Sequence, residues 1–100
     1  DTDFLSFAME IARSHHEKWD GSGYPDGLAG DRIPLSARLM AVADVYDALI
    51  SRRPYKEPLT HDMARAYIEC NTGGHFDPEV VQAFLAQQPR IMEIAKKWQD

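Results

Sequence analysis

Three small groups of residues in this sequence have types and spacings suited to chemistry. His15 and His16 are adjacent, Asp44 and Asp47 stand three apart, and Arg52, Arg53 and Lys56 follow closely after them. Neighbours on a helix point about 100° apart, so the two imidazoles are poorly placed to share one ion. They are better placed to serve two ions a few ångströms apart, each giving one neutral ring nitrogen. The alternative is an exposed pair favoured by the negative end of a helix dipole. Asp44 lies among Ala41, Val42, Ala43 and Val45, where an aspartate is costly unless paired, hydrogen-bonded or bound to metal. Asp47 falls on the same helical face. Both could instead pair with Arg52 or Arg53 on an exposed stripe. Carboxylate and imidazoles together suit manganese, iron or zinc. An arginine can fork onto a phosphate and a lysine adds a point charge, so a metal site beside this basic cluster suggests phosphoester hydrolysis. A solvated turn is the plainer alternative for the basic cluster.

These groups must be positioned by helices. Apolar residues at Phe4, Leu5, Phe7, Ala8, Ile11 and Ala12 predict an amphipathic helix from Phe4 to about Glu17, capped by Thr2 or Asp3. Trp19 to Pro34 holds four glycines and two prolines. Asp20-Gly21 and Pro25-Asp26-Gly27 are turn signals, and a loop this long is usually functional when ordered. Its Gly-Ser-Gly is not a phosphate-binding fingerprint, since no strand precedes it. The segment from about Ser36 to Ile50 is apolar nearly all round and predicts a central buried helix. Pro54 and Pro58 end that pattern. Thr60 can cap a third helix to about Cys70, and Asp77-Pro78 should open a fourth through about Ala86. Pro89 should open a last helix ending near Trp98. His61 and His75 carry little signal of their own. The expectation is an all-α fold of about five helices in a single domain over residues 1–100.

Composition excludes several roles. With 16 acidic against 11 basic residues the net charge is −5, which argues against binding a nucleic-acid polymer through its backbone. The single cysteine, Cys70, forms no internal disulfide or thiolate metal pair and fits a reducing compartment. No apolar run approaches the roughly 18 residues of a membrane span. The chain reads as cytoplasmic.

Taken together, HHEKWDGSGYP at 15–25, GLAGDRIPLSARLMAVADVYDAL at 27–49, SRRPYK at 51–56 and GGHFDPEVVQAF at 74–84 resemble, in order, the HD-GYP family, over about residues 8–86. That family is an all-helical branch of the HD phosphohydrolases, and many members hydrolyse the bacterial messenger cyclic di-GMP with two or three divalent ions, iron or manganese foremost. The resemblance implies that His15, His16 and Asp44 are metal ligands, and that Asp47, Arg53, Lys56 and Tyr24 face the substrate. It implies that Trp19, Asp20 and the loop residues Gly21, Gly23 and Pro25 shape the loop around Tyr24. Family members also carry an upstream His-Asp pair, a lysine and a further histidine. None precedes Asp1 here, and His61-Asp62 reads as coincidence. The chain is therefore expected to be the C-terminal part of such a domain, cut at Asp1, with no catalytic residue of its own and little turnover alone. The alternative is a non-catalytic module binding a partner, such as a diguanylate cyclase domain, through the loop. An apolar face left by truncation could drive homodimerisation.

Overall fold

A computed structural model describes residues 2–97. Helices α1 (Thr2–Ser14), α2 (Leu35–Ile50), α3 (His61–Cys70), α4 (Pro78–Ala86) and α5 (Gln88–Lys97) follow in order, with a short 3-10 turn at Gly30–Arg32 inside the long loop. Among the described residues there is no strand, only isolated bridges at Arg53–Lys56 and Thr72–Phe76. The all-α expectation holds. Trp98, the expected end of the last helix, lies outside the described residues. No helix among the described residues is long and apolar enough to cross a membrane.

The helix starts follow from their caps. The Thr60 hydroxyl accepts from the Met63 amide at 3.2 Å, and Asp77 accepts from the Glu79 amide at 2.8 Å with Pro78 at the first helical position. Each satisfies an amide that the helix itself leaves without a partner. Pro34 precedes α2 without a side-chain cap, and its carbonyl takes the amides of Ala37 and Arg38.

The core is built around one stripe of α2. Ala41, Val42 and Tyr46 pack with Ala64 and Ile68 of α3 and with Phe76, Val80, Val81 and Phe84 at and beyond the start of α4. Spacing by three and four residues puts these side chains on one face of each helix. Burial of residues such as Ile68 and Phe76 contributes about 1.5–3 kcal/mol each. Tyr46 meets Phe84 edge-on, ring centroids 5.3 Å apart. Its hydroxyl reaches His61 Nδ1 at 2.8 Å, and His61 Nε2 reaches Gln88 Oε1 at 3.0 Å. His61 thus joins α2, α3 and α5.

Helix α1 buries only Ser14, and Phe4, Leu5 and Phe7 are all exposed. The buried-helix expectation for α2 is corrected. Helix α2 meets α1, α3 and α4, yet Leu39, Ala43, Asp44 and Asp47 stand on an open face. The apolar composition of α2 marks it for burial all round, and the described residues leave this face open. An exposed Asp44 incurs no desolvation cost here, which removes that particular argument for a metal.

Candidate metal and substrate site

Helix α1 ends at Ser14, earlier than expected, so His15 and His16 occupy the turn beyond it. The His15 amide still bonds the Ile11 carbonyl at 2.9 Å. Its ring Nδ1 lies 2.9 Å from Ile11 O and 3.1 Å from Ala12 O. Two carbonyl acceptors require a proton on Nδ1, and in the neutral ring the lone pair is then on Nε2. This arrangement, a backbone carbonyl behind one nitrogen and a ligand at the other, is common for metal-bound histidine. The two imidazoles do not splay apart as expected of helical neighbours: their centroids are 3.9 Å apart at a 41° tilt. The Tyr24 ring stacks on His16, centroids 4.9 Å apart and nearly parallel.

The loop that delivers Tyr24 is held from several directions. Glu17 is 2% exposed, and its carboxylate accepts the amides of Asp26 at 2.8 Å and Leu28 at 2.9 Å. The Arg13 guanidinium forks onto Asp26 at 2.8 and 3.1 Å, and this hydrogen bond and charge raise its pKa further. Asp20 accepts from the Ser22 amide and hydroxyl, which holds its carboxyl below the usual range. The amides of Trp19 and Asp20 bond the carbonyls of His75 and Gly74 at 3.1 and 2.9 Å, tying the loop to the connector before α4. Gly21 turns the chain at φ +88°. A Cβ on Gly23 would lie 2.4 Å from His16 O and 2.5 Å from Lys18 N. Only glycine admits so close an approach. Pro25 follows Tyr24 through a cis peptide and is exposed.

The other expected site residues lie on or just after α2. Asp44 and Asp47 are exposed, and neither pairs with Arg52 or Arg53. Asp47 meets the Ser51 hydroxyl at 3.4 Å, while Arg52 pairs with Glu57 at 3.4 Å. Arg53 and Lys56 exchange backbone bonds across a tight turn at 3.4 and 3.2 Å. The Lys56 ammonium rests on the carbonyls of Leu49 and Glu57, both at 3.2 Å. Arg53 is exposed. A groove of about 710 Å³ runs along the open face of α2 towards α4 and α5 and takes in Asp47, but not the histidines or Tyr24.

The donor chemistry of His15, His16 and Asp44 suits a divalent ion, and the His15 hydrogen bonds fit it to ligation. These three are nevertheless not gathered here: among the described residues no three His, Cys, Asp or Glu side chains come together as a metal site. His15, His16 and Tyr24 lie ring against ring, while Asp44 and the Arg53–Lys56 turn belong to α2 and its end. Glu17 belongs to none of the three groups of chemical residues in the sequence. Its signal was an acidic residue next to a glycine-rich loop whose many backbone amides need acceptors.

Comparison with known proteins gives the chain its family. A model of the HD domain matches residues 2–80. A probable cyclic di-GMP phosphodiesterase of Vibrio cholerae is 61% identical over 99 residues, covering 99% of this chain and 22% of that protein. The cyclic di-GMP phosphodiesterase response regulator RpfG of Xanthomonas campestris is 53% identical over 91% of this chain and 24% of its own length. A crystal structure of a cyclic GMP-AMP-specific phosphodiesterase of Vibrio cholerae superposes with a TM-score of 0.67 at 28% identity, covering 87% of this chain and 22% of that one. The chain thus spans about a fifth of the length of the relatives it matches. The chain belongs to the HD-domain family, and the HD-GYP resemblance of its signature segments is borne out.

Proposed function

We propose that this chain is the C-terminal part of an HD-GYP domain in a phosphodiesterase that hydrolyses cyclic di-GMP to a linear dinucleotide or GMP. The observation that carries the reading is His15, whose Nδ1 lies within hydrogen-bond distance of two carbonyls, an arrangement that in the neutral ring leaves Nε2 to ligate. The names of the relatives support the substrate class. His15, His16 and Asp44 would hold two or three divalent ions, iron or manganese, together with ligands from elsewhere in the protein. Such ions supply an activated water and neutralise developing charge. Arg53 would fork onto a substrate phosphate and Lys56 would add a fixed cation at the end of α2. Asp47 would contact the substrate, and Tyr24, 61% exposed, would border it. The lone Cys70 supports a reducing, cytoplasmic setting.

A second substrate has specific support. A relative named 3'3'-cGAMP-specific phosphodiesterase 2 is 47% identical over 90% of this chain. Incubating an upstream-extended form of the protein with each cyclic dinucleotide in parallel, with manganese or ferrous iron, tests the assignment. Faster consumption of cyclic di-GMP supports it, and faster consumption of 3'3'-cGAMP transfers the assignment. If neither is consumed while metal is bound, the reading moves to docking of a partner such as a diguanylate cyclase domain through the loop, or to a different nucleotide.

A further inference from the structure

We propose that Glu17 is a positioning residue: its buried carboxylate seats the glycine-rich loop and thereby sets Tyr24 for contact with a cyclic dinucleotide. The proposal rests on the phosphodiesterase reading above and adds to it the group that controls the substrate-facing loop.

The geometry is specific. The Glu17 amide bonds the Ser14 carbonyl at 3.0 Å, so the turn that ends α1 carries this side chain inward rather than into solvent. Each carboxylate oxygen takes one loop amide, Asp26 at Oε2 and Leu28 at Oε1. Both amides lie within four residues of Tyr24 along the chain. With both oxygens engaged and the residue 2% exposed, Glu17 is not placed as a free metal ligand. Charge-assisted bonds from backbone amides to a buried carboxylate are among the stronger hydrogen bonds a protein makes. The loop is pressed down on the far side as well: Gly23 lies against the backbone of His16, Glu17 and Lys18, and the Tyr24 amide reaches the His16 carbonyl at 3.3 Å. Tyr24 is therefore clamped between a glycine contact before it and the Glu17 bonds after it, with its ring on His16. Arg13, forked onto Asp26, is close enough to Glu17 to feel its charge. A carboxamide in place of the carboxylate turns an NH2 towards one of the two loop amides and so replaces one bond by a repulsion.

The test compares the upstream-extended protein with its Glu17→Gln variant on cyclic di-GMP and on bis(p-nitrophenyl) phosphate, a small ester with no need of Tyr24. The expected result is a rise in KM for cyclic di-GMP of about tenfold, with small-ester hydrolysis within about twofold, as for loss of one charged hydrogen bond confined to the loop. Amide exchange at Asp26 and Leu28 should accelerate by about tenfold or more in the same variant. Equal losses on both substrates, or no change on either, overturn the proposal. If the extended wild type hydrolyses neither compound, the phosphodiesterase reading fails by itself. The seating role of Glu17 is then decided by exchange at Asp26 and Leu28 and by the ring-proton shifts of His16, and unchanged values in the variant refute it. If Glu17→Gln does not fold, the wild type decides alone: Asp26 and Leu28 amides exchanging as fast as in an open peptide contradict the clamp.

Discussion

The Arg38 guanidinium lies 2.8 Å from the Asp77 carboxylate across 39 residues of sequence, and joins the middle of the chain to the start of α4. Arg38 also donates to the Ile33 carbonyl at 2.9 Å, while the other Asp77 oxygen caps α4. One pair thus fixes α2, the end of the long loop and α4 in register. Asp77 is buried and Arg38 partly buried. Removing Arg38 leaves the buried Asp77 charge with only the Glu79 amide, so Arg38→Ala should destabilise the fold by about 3 kcal/mol. Urea unfolding followed by circular dichroism measures this, and a loss below about 1 kcal/mol would show that the cap alone satisfies Asp77.

Gly23 and Gly73 should respond differently to alanine. At Gly23 the added methyl meets only backbone, closer than real contacts allow, so the loop must move and the Tyr24–His16 stack with it. Gly73, at φ +86°, has no neighbour within 4 Å of a Cβ, and alanine there should cost about 1–2 kcal/mol from backbone strain alone. The ring-proton shifts of His16 and Tyr24 should collapse in Gly23→Ala and persist in Gly73→Ala.

His75 gives the fold a pH dependence. Burial chiefly, with Lys18 adding to it, lowers its pKa below the usual histidine range. Between the lowered folded value and the unfolded value near 6.5, the unfolded chain binds more protons than the folded one. Stability from this group is therefore complete above about pH 6.5 and declines as pH falls through that window. Urea midpoints between pH 5 and 8 should show this slope, reduced in His75→Phe. An unchanged slope in that variant would remove His75 as its source.

The caps allow a smaller test. Thr60→Ala should cost about 1 kcal/mol through loss of the bond to the Met63 amide, measured as a thermal-melt shift of several degrees.

These cases also show what could be read beforehand. The starts of α3 and α4 were legible because Thr60 and Asp77-Pro78 act on amides two or three residues away. The His15–His16 pair and the loop glycines were legible as motif. The exposure of Asp44 was not, because an all-round apolar helix states how much must be buried and not which face this segment covers. The Glu17 clamp was illegible for a similar reason. Its partners at Asp26 and Leu28 are chosen by the loop's three-dimensional path. The tilt of the two imidazoles goes with α1 ending at Ser14, short of the expected end at about Glu17.

The central claim is a phosphodiesterase whose metal ions are held in part by His15, His16 and Asp44. Its most direct test is cyclic di-GMP hydrolysis with manganese or ferrous iron by the upstream-extended protein, by this chain alone, and by His16→Ala and Asp44→Ala of the extended form, with bound metal counted in each. The account predicts hydrolysis by the extended protein, little by this chain, and a loss of about a hundredfold or more with reduced metal content in either variant. Full activity and full metal content in both variants would contradict it.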